Sequence, residues 1–143
     1  MDDLRGAIAR LAELPEVDPA RIAVVGWQDG ADVALAWAGG QGPGIAVAFY
    51  PSCAAAPPLA RPVLFVLPGD YAGAQACNAF AFEQHQAGTV PLQRIAPYDV
   101  GAGFDCEECD GGYLGGPGGW NGPADDLTTQ AVFTEMTRLL EPQ

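Results

Sequence analysis

The sequence contains no lysine, a single histidine and few positive charges of any kind. All six basic residues are arginines, against 18 acidic residues, so the formal net charge of the 143-residue chain is −12 at pH 7. A protein that binds DNA or RNA needs a cationic surface to displace phosphate counterions. Docking on anionic lipid likewise needs clustered lysine or arginine. We therefore expect no nucleic-acid partner and no membrane partner of this kind.

The sequence also lacks a long uninterrupted apolar run. Residues 33–60 carry no charge, but Pro43, Pro51, Pro57 and Pro58 interrupt them. A membrane-spanning helix needs about 20 consecutive apolar residues, so this stretch does not qualify. Residues 1–4 show neither the basic start nor the apolar core of a signal peptide. We expect a soluble protein without membrane insertion.

Apolar residues make up 49% of the chain, enough for a packed core in a single domain over residues 1–143. The apolar spacing predicts helices at 2–14, 29–38, 74–87 and 124–140, strands at 22–27, 44–50, 62–67 and 90–95, and a long glycine-rich loop at 97–123. Alternating strands and helices are typical of α/β folds. The prediction is a short parallel sheet of about four strands with helices on both faces.

One motif on this framework is chemically specific. Residues 22–32 read IAVVGWQDGAD, a buried strand that runs into a helix through Gly26-x-x-x-Gly30. In α/β-hydrolases the same turn is Gly-x-Ser-x-Gly, and its small residues allow a strained, exposed nucleophile between them. Here the central residue is Gln28. An amide is not a usable nucleophile, so the turn carries no catalytic group.

Segments along most of the chain resemble the dienelactone hydrolase family in the same order. They are residues 17–27, 50–53, 62–69, 77–80 and 103–105. The resemblance implies a hydrolase fold for esters and lactones, with an elbow nucleophile, an aspartate after a later strand and a histidine before the last helix. It also implies several strands and a helix before the elbow strand. This chain has one helix there, so we expect a truncated α/β-hydrolase fold.

The catalytic positions that the resemblance implies are substituted. Gln28 stands at the nucleophile position, and Ala102 stands at the base position directly before Gly103. Asp70 is the one acid candidate after the third strand, in a loop that matches loosely. His85, the lone histidine, lies on a polar helical face and is expected to be exposed. No catalytic residue, cofactor or metal site is predicted.

The truncation leaves one edge of the strand at residues 22–27 without a partner. An uncharged, apolar edge strand favours pairing with another chain. We therefore expect a protein partner or self-association through this edge, with Ile22 and Val24 as interface candidates. Tyr113 and Trp120 in the glycine-rich loop are further interface candidates, because large aromatic side chains are enriched at interfaces. Trp27 and Trp37 are expected in or near the core.

Four cysteines follow strand ends and so lie at one end of the predicted sheet: Cys53, Cys77, Cys106 and Cys109. Two disulfides, Cys53–Cys77 and Cys106–Cys109, are favoured, and they would indicate an oxidising periplasmic or extracellular compartment. Reduced thiols in the cytoplasm and a thiolate metal site are the alternatives. Redox catalysis is disfavoured, because the acidic side chains around Cys106 and Cys109 raise the pKa of a thiol, whereas a reactive thiol needs a lowered pKa.

Together these features predict an inactive dienelactone-hydrolase-like domain that serves as an accessory or interaction subunit of a larger assembly. One alternative is an ester or lactone hydrolase that another chain completes. The other is a small metal or redox protein built on the cysteines.

Overall fold

The computed structural model describes residues 1–40, 44–88, 92–97, 100–106 and 121–141. In chain order the elements are α1 (Asp2–Ala12), a 3-10 helix (Pro19–Arg21), β1 (Ala23–Trp27), α2 (Asp29–Ala38), β2 (Ile45–Phe49), β3 (Val63–Val66), α3 (Ala74–Ala87), β4 (Leu92–Ile95) and α4 (Gly122–Leu140). These elements confirm the predicted α/β fold, with boundaries shifted by a few residues.

The four strands form one parallel sheet in the order β1-β2-β3-β4. Every residue of β2 and β3 is buried, so both faces of the sheet centre are covered. Right-handed crossovers place α2 and α3 on the same face. The last helix, α4, packs against β2, β3 and β4. β1 is therefore an edge strand, as the sequence predicted.

The core follows from this layering. Its main cluster includes the fully buried Phe65, Phe104 and Leu35, which lie on β3, in the loop after β4 and on α2. A smaller cluster, formed by Ile8, Ile22 and Trp37, anchors α1 to the amino end of β1. Trp37 is thus in the core, as expected.

Helix ends match their sequence signals. Gly88 ends α3 in the left-handed conformation, with φ 62°, where a glycine has no steric penalty. Asn121 precedes α4, and its side-chain oxygen accepts a hydrogen bond from the Ala124 backbone N–H. Across the described residues, no helix combines the length and apolar character needed to span a bilayer.

Candidate functional site

The turn between β1 and α2 has the strained backbone of a nucleophile elbow. Gln28 adopts φ 52° and ψ −116°, a region that non-glycine residues rarely occupy. A Cβ on Gly26 would lie 2.1 Å from the Gly30 carbonyl oxygen, so only glycine fits there. The Gln28 N–H donates to the Phe49 carbonyl at 3.1 Å, which fixes the turn to β2. The fold therefore keeps the geometry of the elbow.

The side chain at the centre of the elbow is an amide and not a nucleophile. The Gln28 amide nitrogen is buried and has no hydrogen-bond partner among the described residues. An unpaired buried amide costs free energy and offers neither a nucleophile nor a base. The strained backbone and the unpaired amide are thus both unfavourable features held in one turn.

The structure brings the implied acid and base positions together, but the base position holds an alanine. The backbone of Asp70, in the loop after β3, pairs with Gly101 in the loop after β4. Ala102 follows directly and is 0% exposed within the core. Asp70 itself is exposed. A methyl group therefore fills the position where the resemblance places a histidine.

The lone histidine does not replace the missing base. His85 is exposed near the carboxyl end of α3, as the sequence predicted. A helix that connects two parallel strands runs opposite to them. His85 therefore lies toward the amino ends of the strands, whereas Gln28 lies at their carboxyl ends.

A polar cluster that the sequence did not predict joins three strand ends. One Asp105 carboxylate oxygen accepts a hydrogen bond from the Trp27 indole N–H at 2.6 Å, and the other accepts from the Tyr50 hydroxyl at 2.8 Å. The Trp27 ring also stacks on Phe49, with 4.8 Å between ring centroids. Asp105 thus links β1, β2 and the loop after β4, and both of its carboxylate oxygens accept a hydrogen bond.

Trp27, expected in or near the core, lies at the edge of the core, where its ring stacks on the buried Phe49. Its side chain is 48% exposed. The reason is architectural, because in the described part of the chain α4 packs mainly on β2, β3 and β4 and leaves Val25 and Trp27 of β1 exposed.

A second carboxylate orders the turn after β2. Asp32 of α2 accepts hydrogen bonds from the backbone N–H groups of Ser52 and Cys53 and from the Ser52 hydroxyl, at 3.1, 3.1 and 2.7 Å. Tyr50 and Cys53 in this turn have positive φ values of 39° and 56°. The Asp32 side chain therefore stabilises a turn that strains two non-glycine residues.

The same turn is joined to α3 by a disulfide between Cys53 and Cys77, which confirms this predicted pair. Cys106 is also disulfide-bonded, and Cys109 lies outside the described residues. Three of the four sulfurs are therefore not available as thiolate ligands, which corrects the four-thiolate interpretation. Within the described ranges, no group of three histidine, cysteine or acidic side chains is placed to hold a metal ion.

Tyr71, beside this turn, carries an unpaired polar group. The residue is 6% exposed, and its hydroxyl has no hydrogen-bond partner among the described residues. Burial raises the pKa of Tyr71 above its usual value, and the negative charge of Asp32 raises it further. Arg94 partly offsets the increase in this pKa.

Among the described residues, none pairs with the backbone groups on the outer side of β1. The Ile22 carbonyl accepts from the Ile45 N–H, and the Gln28 N–H donates to Phe49, so even-numbered residues face β2. In a parallel ladder the residues between them point the other way. We call Ala23, Val25 and Trp27 the β1 edge, because their backbone N–H and C=O groups face outward.

Two side chains of the β1 edge are exposed apolar groups, Val25 at 40% and Trp27 at 48%. Of the interface candidates from the sequence, Ile22 is only 8% exposed and Val24 is half-buried against the core. Tyr113 and Trp120 lie outside the described residues.

Two solved structures share this fold. One is assigned as a dienelactone hydrolase from Klebsiella pneumoniae subsp. pneumoniae, with a TM-score of 0.75 and 14% identity over 95% of this chain. The other is a dienelactone hydrolase-like promiscuous phosphotriesterase from metagenomic libraries, with a TM-score of 0.73 and 20% identity over 94% of this chain. This chain spans 59% of the length of each. No protein-family model and no curated protein matches the sequence.

Proposed function

We propose that this chain is a catalytically inactive, dienelactone-hydrolase-like domain that acts as an interaction subunit and joins another polypeptide through the β1 edge. The observation that carries the proposal is the intact elbow with an amide at its centre. Gln28 keeps the strained backbone of the turn, while Ala102 leaves no base beside it. Such a site retains the shape of a hydrolase without its nucleophile and proton acceptor.

The proposed lack of activity is tested with p-nitrophenyl acetate as a general ester substrate. We expect no hydrolysis above buffer by the wild-type chain. The Gln28→Ser variant should be equally inactive, because its hydroxyl would have no base to accept the proton. Hydrolysis by the wild-type chain that Gln28→Ala abolishes would contradict the proposal. Equal hydrolysis by wild type and Gln28→Ala would show that the elbow is not the source of the activity.

The proposed interaction is tested on the chain purified gently from its source cells. Val25→Pro removes an outward-facing N–H and leaves the ladder with β2 intact, a position where an edge strand tolerates proline. Val25→Ala keeps the N–H and is the matched control. In native mass spectrometry we expect Val25→Pro to lose the assembly and Val25→Ala to keep it. An assembly that also hydrolyses esters would favour a hydrolase completed by another chain.

The Cys53–Cys77 disulfide supports an oxidising compartment as the site of action. If Cys106 and Cys109 are paired as well, the denatured mass without reductant should be about 4 Da below the reduced mass. Equal masses for the two samples from source cells would contradict this part of the proposal.

A further inference from the structure

The β1 edge has properties that select its occupant. It offers a short row of free backbone groups, it carries no charge between Ile22 and Trp27, and its two ends carry opposite charges. We propose that the edge is occupied by a second copy of this chain, in an antiparallel pair about a two-fold axis at Val25. This inference rests on the function proposed above, because it identifies the polypeptide that the edge receives. The two four-stranded sheets would become one continuous sheet of eight strands.

The hydrogen-bonding pattern of β1 fits this arrangement. When two copies pair antiparallel about Val25, Val25 lies opposite Val25 and Ala23 lies opposite Trp27. All of these residues have outward-facing N–H and C=O groups, so each finds a partner. A shift by one residue would place outward-facing groups against groups already bonded to β2. The alternation of the strand therefore excludes a shift by one residue, and the register centred on Val25 is the one that pairs Ala23, Val25 and Trp27 together.

The side chains on the exposed face also fit. The largest side chain of the edge, Trp27, would lie beside the smallest, Ala23 of the second copy. The Trp27 ring is already held by its hydrogen bond to Asp105 and its stacking on Phe49. Pairing would therefore cover the exposed apolar surface of Val25 and Trp27 at little cost in side-chain entropy.

The charges at the two ends favour the antiparallel direction. Arg21 precedes β1 and is exposed, and it has no ion pair among the described residues, unlike Arg5, Arg10 and Arg138. Asp29 follows β1 and is also exposed. Antiparallel pairing brings Arg21 of each copy toward Asp29 of the other, whereas parallel pairing would bring like charges together.

A charge exchange tests both the partner and its direction, with dimer dissociation measured by analytical ultracentrifugation. We expect the wild-type chain to form a dimer with twice the 14.8 kDa chain mass. Arg21→Glu replaces two attractions with two repulsions and should weaken the dimer roughly tenfold. The double variant Arg21→Glu with Asp29→Arg restores opposite charges and should recover most of that loss. Val25→Pro should be monomeric, and Val25→Ala should remain a dimer.

Circular dichroism first has to show that the variants are folded. Each of the following results then decides whether the proposal stands. A dimer that Arg21→Glu does not weaken, or that the double variant does not recover, would overturn the antiparallel pairing. A wild-type monomer at roughly 100 µM would overturn the second copy as occupant, since the dissociation constant of such a dimer would lie well above that concentration. In that case, a complex from source cells with a different polypeptide that Val25→Pro disrupts would leave the proposed function standing. A complex insensitive to Val25→Pro would overturn both.

Discussion

Gly26 and Gly30 lie four residues apart in the same turn, but their surroundings differ. A Cβ on Gly26 would meet the Gly30 backbone at 2.1 Å, whereas a Cβ on Gly30 would meet nothing within 4 Å. We expect Gly26→Ala to destabilise the fold by about 3 kcal/mol or more, because neither backbone segment can move easily. Gly30→Ala should stabilise it by about 0.5–1 kcal/mol, since alanine is a better helix former. Urea unfolding of both variants measures the difference, and equal stabilities would show that the turn does not have this close approach.

The buried hydroxyl of Tyr71 gives a pH-dependent prediction. Its pKa is raised in the folded state, first by burial and then by Asp32. The folded state therefore keeps the proton at a pH where the unfolded chain releases it, so the free energy of unfolding is fully present below about pH 10 and falls as the pH rises further.

Replacing Tyr71 tests the effect of the unpaired hydroxyl and the effect of the raised pKa at different pH values. Tyr71→Phe removes an unpaired buried hydroxyl and should stabilise the protein by about 1 kcal/mol at pH 7. It should also reduce the loss of stability between about pH 10 and 11, measured by urea unfolding. A destabilised Tyr71→Phe variant at pH 7 would mean that the hydroxyl has a partner.

The Asp105 carboxylate joins residues that are distant in sequence. Asp105→Ala removes one carboxylate that accepts hydrogen bonds from both the Trp27 indole N–H and the Tyr50 hydroxyl. We expect a loss of about 2 kcal/mol, because Trp27 is half exposed and water replaces part of the interaction. Asp126→Ala, at an exposed position of α4, is the control and should change stability by about 0.5 kcal/mol or less. Equal effects of the two substitutions would contradict a structural role for Asp105.

At the scale of elements, the disulfide joins the turn after β2 to α3. It closes a loop with a sequence separation of 24 residues between Cys53 and Cys77. On the chain-entropy account, a loop of this size stabilises the fold by about 3.5 kcal/mol. Reductant should therefore lower the free energy of unfolding by about this amount.

A double variant isolates this disulfide from the other cysteines. In Cys53→Ala with Cys77→Ala, any remaining effect of reductant reports on the disulfide that Cys106 forms. If full reduction leaves the wild-type urea midpoint unchanged, the disulfide does not stabilise the fold.

The elements differ in how well the sequence predicts them. α3 was predicted with its observed boundaries, because its apolar spacing and the glycine at its end act locally. β1 was predicted as a strand, but its uniformly apolar residues suggested burial on both faces. Whether a strand is covered depends on elements that pack beyond it, so the exposure of Val25 and Trp27 could not be read from the segment itself.

The residues of the candidate site also differ in how well the sequence predicts them. Gln28 and Ala102 were found from the sequence because a short motif fixes their positions. The contact between Trp27 and Asp105 joins residues 78 positions apart and carries no sequence pattern of its own. The unpaired groups of Gln28 and Tyr71 likewise depend on packing that only the folded chain defines.

At the scale of the whole molecule, the uncovered side of β1 is the main departure from a self-contained fold. Over the residues that the structure describes, β2 and β3 are buried on both faces, while β1 has an open edge and an exposed face. The chain spans 59% of the length of each of two solved structures that share its fold. The turn that carries Gln28 directly follows β1, so the elbow and the open edge belong to the same part of the fold.

Amide hydrogen exchange, followed residue by residue by NMR, tests the role of the β1 edge most directly. The N–H groups of Val24 and Gly26 face β2 and should be protected at any protein concentration. The N–H groups of Val25 and Trp27 face outward, so we expect slow exchange in the concentrated, assembled protein and fast exchange on dilution. Fast exchange of Val25 and Trp27 in a sample where native mass spectrometry shows an assembly would contradict the account, because another surface would then hold the assembly together.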